Sequence, residues 1–402
     1  MLTTPPLALY VHFPWCVRKC PYCDFNSYAL RGELAEETYI EALLRDLESQ
    51  APQLAGRALI SVFLGGGTPS LFSPAAIGRV LALVGRLFEC DPELEITLEA
   101  NPGTIERGRF AEYRDAGVTR VSLGAQSFEP ERLEALGRIH SPADTCRAAA
   151  ELHAAGLDNF NLDLMYALPG QDVRSALADI ERAIALEPAH VSHYELTLEP
   201  GTLFGAMPPP NLPDDEAVAQ MLGVCQDKLA DAGFAQYEVS AYARAGRIAR
   251  HNANYWSFGD YVGVGAGAHG KLSLASEKRI VRTAQPREPR RYLSAMTAGA
   301  TLPPPQLPIA PAELPFEFML NALRLTSGFE TELFETRTGL SWAALAATIA
   351  ELGERGLLSC EAGRWRTTPH GAKFLNDVLV CFLPATPSGR VAVTRKVLSS
   401  PV

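Results

Sequence analysis

The feature that most constrains what this chain can fold into is a repeated switch of hydrophobic period over its first half. Short apolar runs suited to β-strands, at 7–13, 59–64, 94–98, 118–123, 160–164 and 191–198, alternate with segments whose apolar residues recur at helical spacing. In 35–54, for example, Tyr39, Ile40, Leu43, Leu44 and Leu47 fall on one helix face. Ser73 followed by Pro74 reads as a helix start, because a serine oxygen accepts a first-turn N–H and proline suits the first helical position. Asp172, after the turn Leu168-Pro169-Gly170-Gln171, reads as a helix cap in the same way. Further helices are expected at 106–115, 145–155 and 173–186. Six strands, each but the last followed by a helix, predict an α/β fold with a parallel sheet covered by helices. Periodicity alone does not choose between an open sheet and a barrel.

The loop after the first strand carries the sharpest chemical signal. Residues 10–26 read YVHFPWCVRKCPYCDFN, which spaces Cys16, Cys20 and Cys23 as C-x3-C-x2-C. Three thiolates on one short loop suit an iron–sulfur cluster. A structural zinc draws four ligands from separated pairs, and Cys90, Cys146, Cys225, Cys360 and Cys381 form no second C-x-x-C pair. Three thiolates on a 4Fe-4S cluster leave its fourth iron open to an exogenous ligand. The competing reading is three incidental buried thiols. The tight spacing and the polar Arg18 and Lys19 between them argue against it.

Other residues with chemical potential stand at successive strand ends. They are Gly65-Gly66-Gly67-Thr68-Pro69, Glu99-Ala100-Asn101-Pro102, Gly124-Ala125-Gln126-Ser127 and Asn161-Leu162-Asp163. Glycines there let a ligand approach the backbone. A carboxylate accepts from hydroxyls or pairs with an ammonium, and an amide donates and accepts at once. Each group alone also suits a turn or cap, so it is their joint placement that argues for a site. Arg138, within LGRIH, offers a fixed cation for a carboxylate, or is a solvated charge at a helix end.

From Glu199 onward the alternation breaks. Pro200-Gly201 and the run Met207-Pro208-Pro209-Pro210 read as a loop, followed by a helix at 215–232 and a strand at 237–243. The glycine-rich VGVGAGAHGK at 262–271 mimics a nucleotide fingerprint, but its order is wrong and no helix follows it. The portion 311–383 orders helices at 315–325 and 341–355, a strand pair at 358–360 and 365–367 turning through Glu361-Ala362-Gly363, and a helix from Pro369. That order is winged-helix-like. The acidic balance and the lack of a basic stripe favour a packing or lid module over a DNA reader. The composition of the tail 385–402 predicts disorder.

With a net charge of -10 the chain lacks a broad electrostatic surface for nucleic acid. No apolar run approaches the roughly 18 residues of a membrane span, which leaves only transient membrane contact open. The opening MLTTPPLAL lacks the basic start and apolar core of a signal peptide. Eight cysteines without a paired framework suit a reducing compartment, so a cytoplasmic protein is expected.

The cysteine spacing is that of radical S-adenosylmethionine (SAM) proteins. The flanking YVHFPWC, with Pro21, Tyr22 and Asp24, resembles the branch that contains anaerobic coproporphyrinogen III oxidase and the HemW-type heme chaperones. The resemblance implies a partial (β/α)6 radical SAM barrel over 1–200, with the cluster at the strand C-termini. It implies a barrel extension and connecting segment over 201–305 and a C-terminal helical, winged-helix-like domain over 306–384. Carried over residue by residue, it implies that Cys16, Cys20 and Cys23 hold the 4Fe-4S cluster. It also implies that Tyr10, Tyr22, Gly66, Gly67, Thr68, Glu99, Gln126, Arg138 and Asp163 bind SAM. The chemistry implied is reductive cleavage of the SAM C–S bond to a 5′-deoxyadenosyl radical, with the protein supplying orientation and exclusion of water.

Two departures bear on activity. The oxidase has a further cysteine two positions after the third ligand, where this chain has Phe25, and a longer segment before its counterpart of Tyr10, where this chain has nine residues. Both lower the expectation of porphyrinogen decarboxylation. The motif His251-Asn252-Ala253-Asn254-Tyr255-Trp256 marks the HemW-type group, and an imidazole can ligate heme iron while aromatic rings pack on a porphyrin face. A structural histidine within an aromatic cluster is the competing reading, and His269 is a second candidate ligand. The expected function is therefore binding of heme as cargo and its transfer to an acceptor protein. The alternative is an oxygen-independent coproporphyrinogen III oxidase.

Overall fold

A computed structural model of the protein describes residues 1–103, 109–297 and 302–384. The six expected strands are β1 (Leu7–Phe13), β2 (Ala58–Gly66), β3 (Glu89–Ala100), β4 (Arg120–Gln126), β5 (Phe160–Tyr166) and β6 (His190–Glu195). They lie side by side in chain order and every neighbouring pair is parallel. The connections carry α1 (Glu36–Gln50), α2 (Pro74–Leu87), α3 (Phe110–Asp115), α4 (Pro130–Ala135), α5 (Pro142–Ala154) and α6 (Val173–Ala185). Ser73 accepts from the Ala76 N–H and Asp172 from the Ser175 N–H, so both expected caps form.

After β6 come α7 (Leu203–Ala206), α8 (Asp215–Asp231), β7 (Ala235–Glu238), β8 (Ala241–Ala243) and α9 (Arg250–Trp256). They are followed by β9 (Asp260–Val264), β10 (His269–Leu274), β11 (Arg279–Ala284), α10 (Pro289–Thr297) and β12 (Leu307–Pro308). The sheet grows at both edges, since β8 pairs antiparallel with β6 and β9 pairs parallel with β1. The described strands form one open twelve-stranded sheet in the order β12-β11-β10-β9-β1-β2-β3-β4-β5-β6-β8-β7. An unclosed sheet is what a partial barrel requires.

Period-two alternation sorts the strand side chains between two faces. Leu9, Val11, Val62, Leu64, Leu98, Val121, Leu123, Leu162, Leu164 and Val191 enter the main core with the apolar stripes of α1, α2, α5, α6 and α8. The intervening residues, Tyr10, Ser61, Glu95, Thr97, Glu99, Arg120, Ser122, Asn161, Asp163, His190, Ser192 and Tyr194, are mostly polar and face the opposite side. Several of them pair with one another there. Asn161 Nδ2 donates to Ser122 Oγ at 2.8 Å, His190 Nδ1 lies 2.7 Å from Asn161 Oδ1, and His190 Nε2 lies 2.9 Å from the Tyr237 hydroxyl. A sheet whose inner face is polar is built to surround something other than a dry core.

The C-terminal part orders α11 (Leu314–Ala322), β13 (Phe329–Glu330), α12 (Thr331–Thr338), α13 (Ala346–Glu354), β14 (Leu358–Glu361), β15 (Arg364–Thr367), α14 (Pro369–Lys373) and α15 (Leu375–Val380). Its three-stranded sheet, β13-β15-β14, encloses a second core around Phe318, Phe329, Phe334, Ile349 and Leu352, which Phe258 joins from the turn after α9.

Some expected bounds change. The strand expected at 237–243 is a hairpin, β7 and β8, because the Glu238 carboxylate accepts the Ser240 N–H at 3.0 Å and turns the chain. The helix expected at 341–355 opens with a 3-10 segment, Trp342–Leu345, before α13. The glycine-rich stretch is the β9–β10 turn, without a helix behind it. The start of the helix expected at 106–115 and the tail 385–402 lie outside the described residues.

Candidate functional site

The cysteine loop hangs from the C-terminal end of β1 and is tied down on three sides. Its ends close on each other where Trp15–Cys16 pairs with Tyr28–Ala29. Lys19 Nζ crosses the loop to the Phe25 and Ser27 carbonyls at 3.1 and 2.9 Å. The Gly67 and Thr68 N–H groups donate to the Phe13 and Trp15 carbonyls at 2.6 and 2.8 Å, so the glycine run lies against the start of the loop. A Cβ at Gly67 would stand 2.6 Å from the Trp15 carbonyl oxygen, which explains glycine there.

Cys16 and Cys20 line an open cleft with Thr68, Asn101 and Arg138. Cys23 stands beside them, close enough that its charge would raise the Cys16 thiol. Burial pushes Cys16 up to about 11, partly offset by a hydrogen bond with Thr68, and raises Cys23 too. A metal that bound them would therefore displace protons. Among the described residues no three His, Cys, Asp or Glu side chains form the ligand group of a single metal ion. A cluster makes no such demand, because each thiolate binds a different iron. The donor set of three free cysteines on one loop thus fits an iron–sulfur cluster.

The strand ends bring the other expected residues around the same opening. Arg138 donates to Cys20 Sγ at 3.7 Å, to the Gly124 carbonyl at 2.8 Å and to the Asn101 carboxamide, which itself donates to Thr68 Oγ1 at 2.9 Å. Arg138 is held raised despite its burial by Tyr22 and Cys20 beside it. Tyr22 packs on Phe204 of α7, with ring centroids 6.4 Å apart, which anchors the loop to the segment after β6. Gln126 takes a left-handed φ of 67° where the pairing of β4 with β5 slips, turning its amide toward Gly124.

Glu99 Oε2 accepts the Gly66 N–H at 2.8 Å. Burial, and then Asp163, push Glu99 up to about 8. Asp163 accepts from Ser122 Oγ at 3.0 Å and Asn161 Nδ2 at 2.8 Å, and burial raises it as well. Both carboxyls are raised by burial on one wall, and a cationic or hydroxyl-bearing ligand there would favour their charged form. Tyr10 completes the wall, stacked on Phe63 at 6.2 Å with its hydroxyl 2.9 Å from His12 Nδ1.

His251 sits elsewhere. It is 1% exposed on α9, which closes the other end of the inner face. Its Nδ1 lies 3.1 Å from Ser61 Oγ, its ring packs on Phe63 at 5.0 Å, and Glu95 caps the Arg250 and His251 N–H groups at 3.0 and 3.2 Å. Burial, and then Arg120, push the imidazole down to about 3. Tyr255 stacks on Tyr261 at 5.0 Å and Arg324 lies over the Trp256 ring at 4.3 Å. The HNxxYW helix is thus the floor of the inner chamber.

Two residues that hold the site together are missing from the expected set. His12 bridges Tyr10 to the Asn26 carbonyl, 2.9 Å from His12 Nε2, and Asn26 Nδ2 ties the loop to the Ala266 and Arg287 carbonyls at 2.9 Å each. Only the period-two polar stripe of β1 hinted at His12, and nothing local hinted at Asn26.

A cysteine-bearing cleft at the C-termini of the parallel strands of an open mixed sheet defines the class. Residues 10–183 match the Radical SAM superfamily and residues 309–374 the HemN C-terminal domain. In fold the chain is similar to "Coproporphyrinogen III oxidase (HemN) from Escherichia coli", with a TM-score of 0.78 at 22% identity over 94% of this chain and 90% of that one. In sequence it is 45% identical to "Heme chaperone HemW" of Escherichia coli (strain K12), over 95% of this chain and 100% of that protein. It is 36% identical to "Radical S-adenosyl methionine domain-containing protein 1, mitochondrial" of Bos taurus, over 94% and 87%. The chain belongs to the HemW family.

Proposed function

We propose that this protein binds heme and passes it to an acceptor protein, on a radical SAM core that holds a 4Fe-4S cluster and SAM. One observation carries the reading. The similarity to proteins named heme chaperone runs from end to end, across both the cluster-bearing part and the C-terminal part, at 45% identity. Cys16, Cys20 and Cys23 would hold the cluster, and the cluster when bound supplies the electron that cleaves SAM. Glu99 and Asp163 would take polar groups of SAM, Arg138 its carboxylate, and Gly66, Gly67 and Thr68 its methionyl end, with Tyr10, Tyr22 and Gln126 completing the wall. Raised carboxyls suit that task, since a ligand ammonium would favour their charged form. His251, the heme contact suggested by its motif, would meet heme only if the Tyr10–Phe63 wall moved aside. We take the chain parts as 1–200, 201–305 and 306–384. The cysteine usage supports a cytoplasmic setting, and no described helix is long and apolar enough to cross a membrane.

The rival activity is oxygen-independent coproporphyrinogen III oxidation. Phe25 weighs against it, being 37% exposed on the loop where the oxidase has a cysteine. Anaerobic reconstitution followed by a heme titration, with and without SAM, separates the two. Stoichiometric heme binding with no loss of coproporphyrinogen under reducing conditions is expected. SAM-dependent loss of coproporphyrinogen without heme binding would replace the chaperone with the enzyme.

A further inference from the structure

We propose that heme iron is met by His269, with Arg287 contacting a propionate, on the turn bound to the cysteine loop; this rests on the heme reading above. The chain has eight histidines. His12, His140, His190, His193 and His251 are buried, at most 6% exposed. His153 is paired with Asp158, and His370 stacks on Phe374 in the C-terminal part. The exposed imidazole next to the candidate site is His269, at the start of β10.

Its surroundings suit an iron porphyrin bearing two carboxylates. The turn that presents His269 is bound to the cysteine loop, because Asn26 Nδ2 donates to the Ala266 and Arg287 carbonyls at 2.9 Å. Gly267 in that turn has a φ of 80°, and a Cβ there would collide with the Asn26 carboxamide, so turn and loop are in direct contact. The Gln285 N–H returns to the Ala268 carbonyl at 2.8 Å, which brings 285–287 alongside. Arg287 is exposed, and its guanidinium makes no hydrogen bond or ion pair among the described residues. Register pairs His269 with Ala284 and Lys271 with Arg282, so Arg282 is diagonal to His269 on the same face. Arg282 is committed to Tyr261, at 2.7 Å, and to Glu317, and Tyr261 stacks on Tyr255 of the HNxxYW helix. One wall therefore connects the accessible imidazole to the family motif.

The test is a ferric heme titration of the full-length, cluster-reconstituted protein, read by Soret absorbance and electron paramagnetic resonance. His269→Ala should lose the imidazole-ligation signature and about tenfold in affinity, with rescue of the signature by added imidazole and unchanged iron, sulfide and SAM binding. Arg287→Glu should weaken binding severalfold while keeping the signature. His251→Asn, which keeps a polar group facing Ser61, should retain it too. Wild-type spectrum and affinity in His269→Ala, or loss of the signature in His251→Asn alone, would overturn this assignment and leave the chaperone standing. A wild-type protein that binds no heme would overturn both.

Discussion

The two ends of the inner face are made of the same residue types and differ in what lies over them. At the C-terminal ends of the strands, Arg138, Cys16 and Cys20 line an open cleft, and Glu99 and Asp163 behind them are only partly buried. At the opposite end, Glu95, Arg120 and His190, with His251 of α9, are 6%, 2%, 1% and 1% exposed. Acids and an arginine are thus only partly covered in one place and buried in the other. Coverage, more than chemical identity, separates the candidate site from its scaffold.

Substitutions at the two ends should behave differently. The largest effect is expected at the top. Cys20→Ala should abolish the brown cluster chromophore and its iron, and full retention of iron and sulfide would refute the ligand assignment. Gly67→Ala comes next. A methyl 2.6 Å from the Trp15 oxygen and 2.8 Å from the Phe13 oxygen should cost about 1–3 kcal/mol and lower SAM affinity, read by thermal melting and calorimetry. Unchanged SAM binding would separate the glycine run from the site.

At the floor, His251→Ala removes a buried ring and leaves Ser61 Oγ without that partner, so a loss of about 2–4 kcal/mol is expected with cluster content unchanged. Cluster loss in parallel would mean that the two ends are one unit. The smallest effect is electrostatic. In the folded protein Glu99 keeps its proton up to about pH 8, whereas its ordinary value is 4.5. The folded state therefore binds the extra proton, and this contribution to stability is full below about pH 4.5 and fades as pH rises to about 8. Glu99→Gln should flatten the fall in melting temperature across that window. An unchanged slope would show that Glu99 is ionised throughout.

Much of this architecture is legible locally. The six βα units, the Ser73 and Asp172 caps and the cysteine loop depend on spacing and on neighbouring residues. The hairpin at 235–243 was not legible, because a single side-chain-to-backbone bond from Glu238 breaks what reads as one strand. Nor was the role of the glycine-rich stretch. Its glycines resemble a nucleotide loop in composition, but the structure uses Gly267 for a close approach to Asn26.

The amino-acid sequence by itself determined the element types, the apolar outer face of the sheet and the three thiols of the candidate cluster, since all are set within a few residues. Tertiary structure decided which polar groups can be reached. His251 meets Ser61 across 190 residues of chain, and Asn26 meets Ala266 across 240. Burial is a property of segments brought together by folding, and no local pattern records which of two histidines, His251 or His269, ends buried and which stays exposed.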